Sequence, residues 1–325
     1  MMFSIIHLAI ALSLSFPLLS SSAPLKLRRS KTISPRQSPS RSFTLAETIA
    51  GESFFDAFDF FTDADPTHGA VNYVSQDTAQ AKGLAGVTNG LARIAVDSTS
   101  TLEMGTNRDS VRISTKNTYS KGLFIYNVTH MPTGLTTWPA VWSTDGANWP
   151  NNGEIDLIEG VHESQNNQVT MHTNGGCSLA TGQAITGTVI GTTCDSTVTN
   201  NGCATTDPNG WGTEFNAAGG GVFVKVWDPD YGIEVFHFPQ DKVPDVSRSD
   251  FLGNPVSFIP NGDLCNIGEH FQNHQIIINI TLCGDWAGAS YSGPGTCQSA
   301  VMDPTNYKDA YWEIGSIEVY QSSPA

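Results

Sequence analysis

The chain has 325 residues, with 16 Lys and Arg against 31 Asp and Glu, and a formal net charge of −15 at pH 7. Such an acid excess repels nucleic acid and anionic membrane surfaces, so neither is expected as a partner, and it suits a neutral ligand. The length could hold two domains, but β-sandwiches of 200–250 residues commonly form one.

The chain opens on an apolar run, "FSIIHLAIALSLSFPLL", followed by "SSSA". Ser, His and Pro interrupt the run, so residues 1–23 read as a secretory signal peptide and not as a membrane span, although the charged n-region is missing. Residues 24–42 are rich in Ser, Pro, Lys and Arg, contain Arg28-Arg29 and hold no acid. That composition predicts a disordered linker or a pro-segment with a dibasic processing site. Six of the 16 basic residues lie here. The remaining domain, residues 43–325, therefore sets ten basic residues against 31 acidic ones, a balance of −21.

From there the sequence breaks into short runs divided by Gly, Pro, Asn and Asp. "SVRISTK", "GLFIYNV", "NQVTMHT", "GVFVKVW", "IEVFHF", "HQIIINITL" and "YWEIGSIEVY" each have strand length and strand composition. "DTAQAKGLA" predicts one brief helix limited by Gly83. The expected class is all-β, a sandwich of antiparallel sheets with long decorated loops. The longest loop, Gly175 to Gly220, carries three of the six cysteines. A loop of that length implies function or stapling. The even cysteine count behind a leader predicts up to three disulfides, with 15 pairings open. A zinc site is disfavoured because there is no Cys-x-x-Cys pair. Asn127-Val-Thr and Asn279-Ile-Thr are glycosylation sequons.

The most informative stretch is "NWPNNGEIDLIEGV", which places Glu154, Asp156 and Glu159 among apolar residues. In a strand, Glu154 and Asp156 share a face while Ile155 and Leu157 point into the core. Glu159 falls on the wrong face unless one bulge between Asp156 and Glu159 absorbs the extra residue. Three carboxylates on one face repel, so at least one pKa must rise. A proton donor beside an ionised carboxylate suits glycoside cleavage; a calcium site and a solvated edge face are the other readings. Trp142 and Trp149 precede the acids and Trp286 follows them, a supply of flat rings that suits sugar stacking. Trp138, in "TWPAVW", is expected in the core.

Here the residues reach a known family. "GEIDLIEGV" resembles the Glu-x-Asp-x-x-Glu signature of glycoside hydrolase family 16. "FFDAFDFFTDADPTHGAVNYV", "SVRISTK", "TWPAVW", "TMHT", "GGGVFVKVW", "LCGDWAG" and "AYWEIGSIEVYQ" resemble its fungal laminarinase-type branch in order, over nearly all of Phe54 to Gln321. The resemblance implies a jelly-roll β-sandwich with a substrate cleft, and retaining endo-hydrolysis of β-1,3 or mixed β-1,3/1,4 glucans. It implies Glu154 as nucleophile, Glu159 as general acid/base and Asp156 between them holding down the nucleophile's pKa. His172 then lies beside the site, Trp142, Trp149 and Trp286 wall the nearest sugar subsites, and Arg112 bonds sugar hydroxyls or makes a structural ion pair. No cofactor or metal is implied, and a secreted monomer acting on β-glucan is expected. The sequence departs from the family pattern in lacking a cysteine at Gly134–Thr137 and a second near Cys297. His162 replaces a common Asn, and His237 and Gln240 stand where a Trp and an Arg are usual; these changes bear on distal sugar binding. Transglycosylation and non-catalytic glucan binding are the competing functions.

Overall fold

A computed structural model describes residues 43–244 and 253–322, so the expected leader and the linker lie outside the described residues. Two antiparallel sheets form the sandwich, as the strand-like runs predict. The sheet that carries the acids orders its strands as 188–189, 203–207, 167–172, 154–159, 137–144, 275–282, 112–115 and 58–60. The opposing sheet runs 257–260, 232–239, 221–228, 122–130, 311–322, 91–95 and 85–88, with 43–50 paired onto 311–322. One short pair, 71–73 with 108–110, is parallel. "DTAQAKGLA" forms the expected helix, Gln76–Ala81, capped by Ser75 and ended just before Gly83 at φ 68°. No helix among the described residues is long and apolar enough to cross a membrane.

Period-two alternation builds the core. Ile276, Ile278, Ile280 and Leu282 of one strand meet Ile155, Val141 and Ile113 of its sheet and Phe124, Tyr126 and Phe223 of the other. Each such large side chain, fully buried, stabilises the fold by about 1.5–3 kcal/mol. The intervening residues, Ile277, Asn279 and Thr281, lie on the sheet's open face, and this alternation is what presents the acids there.

The opposing sheet departs from the simple pattern. "GVFVKVW" would place Lys225 outward by polarity, yet Val222, Val224 and Val226 join a second apolar cluster on the sheet's other face, with Leu123, Ile125 and Phe236. Lys225 is therefore turned inward, 1% exposed, over the rings of Phe124 and Trp227. Burial lowers its pKa to about 7.

All six cysteines pair, as Cys177–Cys265, Cys194–Cys203 and Cys283–Cys297. The first closes an 88-residue separation, for which the lost chain entropy of the unfolded state is worth about 4–5 kcal/mol. Two of these bonds staple the Gly175–Gly220 segment, which also contains strands 188–189 and 203–207 and the helix Gly212–Ala217. Beside Leu135, where the family pattern has a cysteine, Thr136 Oγ1 meets Tyr307 Oη at 2.7 Å.

The sequons fare poorly as attachment points. Asn279 is buried, accepting from Trp142 Nε1 and donating to Tyr73 Oη, so a glycan there would displace both rings. Asn127 is half-buried in mid-strand between 221–228 and 311–322.

Replacing the inward lysine should stabilise the protein. Below about pH 7 the folded state buries the full charge; from there to about 10.5 only the unfolded chain keeps the proton, and the penalty shrinks as pH rises. Lys225→Met is expected to raise Tm most at pH 6 and progressively less toward pH 10, as calorimetry at both ends would show.

Candidate active site

The strand Glu154–Glu159 lies between 137–144 and 167–172. Against 137–144, Glu154 faces Thr144, Ile155 faces Ser143 and Asp156 faces Trp142, but Ile158 faces Val141 and Glu159 faces Ala140. Leu157 is the unpaired extra residue. The expected bulge is present, and it sends Leu157 and Ile158 to the core and Glu159 to the face of Glu154 and Asp156.

After the bulge the backbone ladder to 167–172 stops at the Asp156–Thr170 pair. The Asn167 side chain takes over: Glu159 N–H donates to its Oδ1 at 2.8 Å, and its Nδ2 donates to Leu157 O at 3.1 Å. Two orphaned backbone groups at the bulge are thus satisfied by one buried amide. Gly160 then passes so close to Trp211 that a Cβ would sit 2.7 Å from its ring.

The three carboxyl groups share one electrostatic problem. Burial and the Glu159 charge raise the Glu154 pKa, and burial with both glutamates raises that of Asp156 well above the carboxylate range. Burial also raises Glu159. What separates them is their partners. Glu154 has the Arg112 cation and the Trp149 side chain favouring its charged form, whereas Glu159 has the Trp138 indole alone, donating to Oε1 at 2.7 Å. Even so, burial and the neighbouring charges win: Glu154 is pushed up to about 8 and Glu159 to about 7, so both groups tend to hold a proton near neutrality.

His172 stands opposite Glu154 on the neighbouring strand, its Nε2 3.5 Å from Asp156 and 4.0 Å from Glu154. Burial lowers its pKa to about 4, so it is neutral at ordinary pH. Ser196, inside the loop closed by Cys194–Cys203, meets the other ring nitrogen at 3.3 Å. Glu154, Asp156 and His172 bring ligand atoms within 4.8 Å of one another, a spacing that a small cation could use, but the adjacent Arg112 opposes one.

Arg112 makes no carboxylate ion pair among the described residues. Its guanidinium lies over Phe61 at 4.6 Å and Trp142 at 5.0 Å, and its Nε has no protein partner. Trp142 is fixed beneath it by Asn279, and Trp149 stands 43% exposed. Trp286 packs edge-on against Trp138 at 5.8 Å. The expectation for Trp138 is corrected: it is half-buried on the acidic face beside Glu159, not in the core. Its spacing of four from Trp142 already places both on one face of a strand. Asn167, Phe61, Ser196 and Asn279 were not anticipated as site residues; only Asn167, a polar residue opening a strand, carried a local signal. His237, at the position of a family Trp, points to the interior, 2.9 Å from Asp207.

The family model described as "XgeA-like, catalytic GH16 domain" matches residues 58–320. The chain belongs to glycoside hydrolase family 16. It is 39% identical over 305 residues to a probable endo-1,3(4)-β-glucanase of Aspergillus niger, covering 87% of this chain and 41% of that one. It is 37% identical to an endo-1,3(4)-β-glucanase of Arthroderma benhamiae, over 88% of this chain and 66% of that one. The chain thus spans less than half the length of the Aspergillus relative. Among solved structures it is similar to laminarinase 16A of Phanerochaete chrysosporium, which holds β-glucans in donor and acceptor sites: 38% identity, TM-score 0.83, covering 86% of this chain and all of that one. An elongating family 16 β-1,3-glucosyltransferase matches at 34% identity and TM-score 0.79, over 86% of this chain and all of that one. These neighbours share the jelly-roll β-sandwich of the family.

Because the Trp138 N–H lowers the Glu159 pKa, its removal must raise it. Carboxyl-labelled Trp138→Phe protein is expected to show Glu159 titrating at higher pH than in the parent, as followed by carbon NMR.

Proposed function

We propose that this chain is a secreted, retaining endo-β-glucanase domain that hydrolyses β-1,3 or mixed β-1,3/1,4 glucans. The reading is carried by the Leu157 bulge, which puts Glu154 and Glu159 on one face with different partners. Glu159, protonated, gives its proton to the departing glycosidic oxygen while a Glu154 oxygen bonds to the anomeric carbon and the C–O bond to the leaving sugar breaks. Glu159, now ionised, takes a proton from water, whose oxygen attacks the same carbon and frees Glu154. Both displacements invert, so the product keeps the β configuration.

Asp156 lies between the two glutamates and shares their charge, while neutral His172 faces it without adding a cation. Trp142, Trp149 and Trp286 supply sugar-stacking faces, joined by Trp138, and the free side of Arg112 supplies donors for sugar hydroxyls. Three disulfides fit an oxidising, extracellular setting.

Transfer to a second sugar is the alternative fate of the same glycosyl-enzyme. The similarity to an elongating glucosyltransferase favours keeping it as a second reading.

Incubation with laminarin and lichenan, product sizing and early anomer analysis by NMR separate the outcomes. Shortened chains of initial β configuration are expected; lengthened chains indicate transfer, and unchanged chains exclude both. Glu154→Gln and Glu159→Gln are each expected to lower kcat by about a thousandfold or more with the fold intact. Undiminished cleavage by either variant would overturn its role.

A further inference from the structure

A second polar system lies on the core side of the same sheet, and none of it belongs to the acidic face. Lys225 Nζ donates to Ser143 Oγ at 3.0 Å, Ser143 Oγ meets His274 Nδ1 at 3.1 Å, and His274 Nε2 meets Asn152 O at 2.6 Å. Ser143 and His274 are each 1% exposed, as is Lys225. Buried polar groups of this kind are costly unless every donor and acceptor is matched.

The chemistry at the two ends fixes the direction of the chain. Lys225 Nζ donates to Ser143 Oγ, which keeps its own proton for His274 Nδ1. A carbonyl only accepts, so His274 Nε2 must carry the proton that reaches Asn152 O. One neutral tautomer satisfies both ends, and burial together with the Lys225 charge lowers the His274 pKa to about 3, which keeps it in that form.

The endpoint is the loop that precedes the acids. Asn152 is the second residue before Glu154, and the same loop carries Trp149, whose side chain favours the charged form of Glu154. Neighbouring anchors grip this loop as well: Asn174 N–H donates to Pro150 O, Thr144 Oγ1 donates to Gly153 O, and Gln272 N–H shares the Asn152 carbonyl at 3.2 Å. Among these, His274 reaches the loop from between the sheets. Its own backbone is tied in both directions to Tyr119, so the ring cannot follow the loop outward.

We propose that His274 is a positioning residue for this site: held in one tautomer by Lys225 and Ser143, it locks the Asn152 carbonyl and thereby sets where Trp149 stands against Glu154 and the bound glucan. The proposal rests on the glucanase reading for its ligand, but the lock itself is a property of the unliganded protein. Its signature is dependence on hydrogen-bond pattern and not on volume. Glutamine can accept from Ser143 through Oε1 and donate to Asn152 O through Nε2; leucine can do neither.

The test uses the full chain with His274→Leu and His274→Gln, each in the parent and in a Trp149→Ala background. Three readouts are taken: indole emission without ligand, Kd for a β-1,3-linked glucohexaose by calorimetry, and kcat and KM. His274→Leu is expected to shift the emission and to raise Kd and KM by about tenfold, with a smaller effect on kcat, while His274→Gln stays within about threefold of the parent. In the Trp149→Ala background the leucine substitution should lose most of its effect. If His274→Leu does not fold, Ser143→Ala, which removes the central link, is expected to move the same readouts in the same direction. Unchanged binding in the leucine variant, a glutamine variant no better than leucine, or equal losses in both backgrounds would each overturn the proposal. Were the parent to bind no glucan, the glucanase reading would fail, and the emission of the two His274 variants would still decide the lock.

Discussion

Three carboxyl groups on one face of a single strand, with the hydrophobic core on the other, form the constraint from which the rest of the site follows. Like charges at this spacing are unstable together in a partly dry environment. The protein relieves the conflict by asymmetry. Arg112 and Trp149 favour charge at Glu154, the Trp138 indole favours it at Glu159, and His172 is kept neutral, so the two glutamates meet different partners while burial pushes both up. The bulge at Leu157 makes this possible, since a regular strand would drive Glu159 into the core.

Much of this was legible in the sequence. The spacing of Glu154, Asp156 and Glu159 demands an irregularity, because two residues separated by an odd number cannot share a face of an unbroken strand. The alternation in "HQIIINITL" likewise fixes its inward face. What strand periodicity could not supply was how the irregularity is held. Asn167 lies ten residues from Leu157, on another strand, and its role depends on where the backbone ladder ends. Hydrophobicity points Trp138 to the core, but period places its indole with that of Trp142, on the acidic face. Lys225 is not placed by polarity. Polarity predicts it outward, but the valines flanking it bury the other side of the sheet, and a register cannot satisfy both demands.

The aromatic residues divide by the partner each has found. Trp138 and Trp142 spend their N–H groups on Glu159 and Asn279, which fixes the ring planes. Phe61 and Trp142 then hold the Arg112 guanidinium, leaving its Nε without a protein partner. Stacking surfaces and hydrogen-bond donors are thus prepared in advance, which lowers the ordering that any ligand on this face would require. Burial of Asn279 belongs to the same arrangement: the sequon lies under the site because its amide supports a tryptophan.

The Asn167 clamp also constrains how the chain around it can vary. Glu163, Gln165 and Asn166 in the turn after Gly160 are open to solvent, and open turns ordinarily accept extra residues. Here the residue that closes the turn reaches back to bond the backbone of Leu157 and Glu159, which open it. Lengthening the turn would pull that amide away and release the strand on which the acid stands. The exposed side chains at its tip are free to change, but its length is not, and an outwardly unremarkable loop acts as a ruler for the active face.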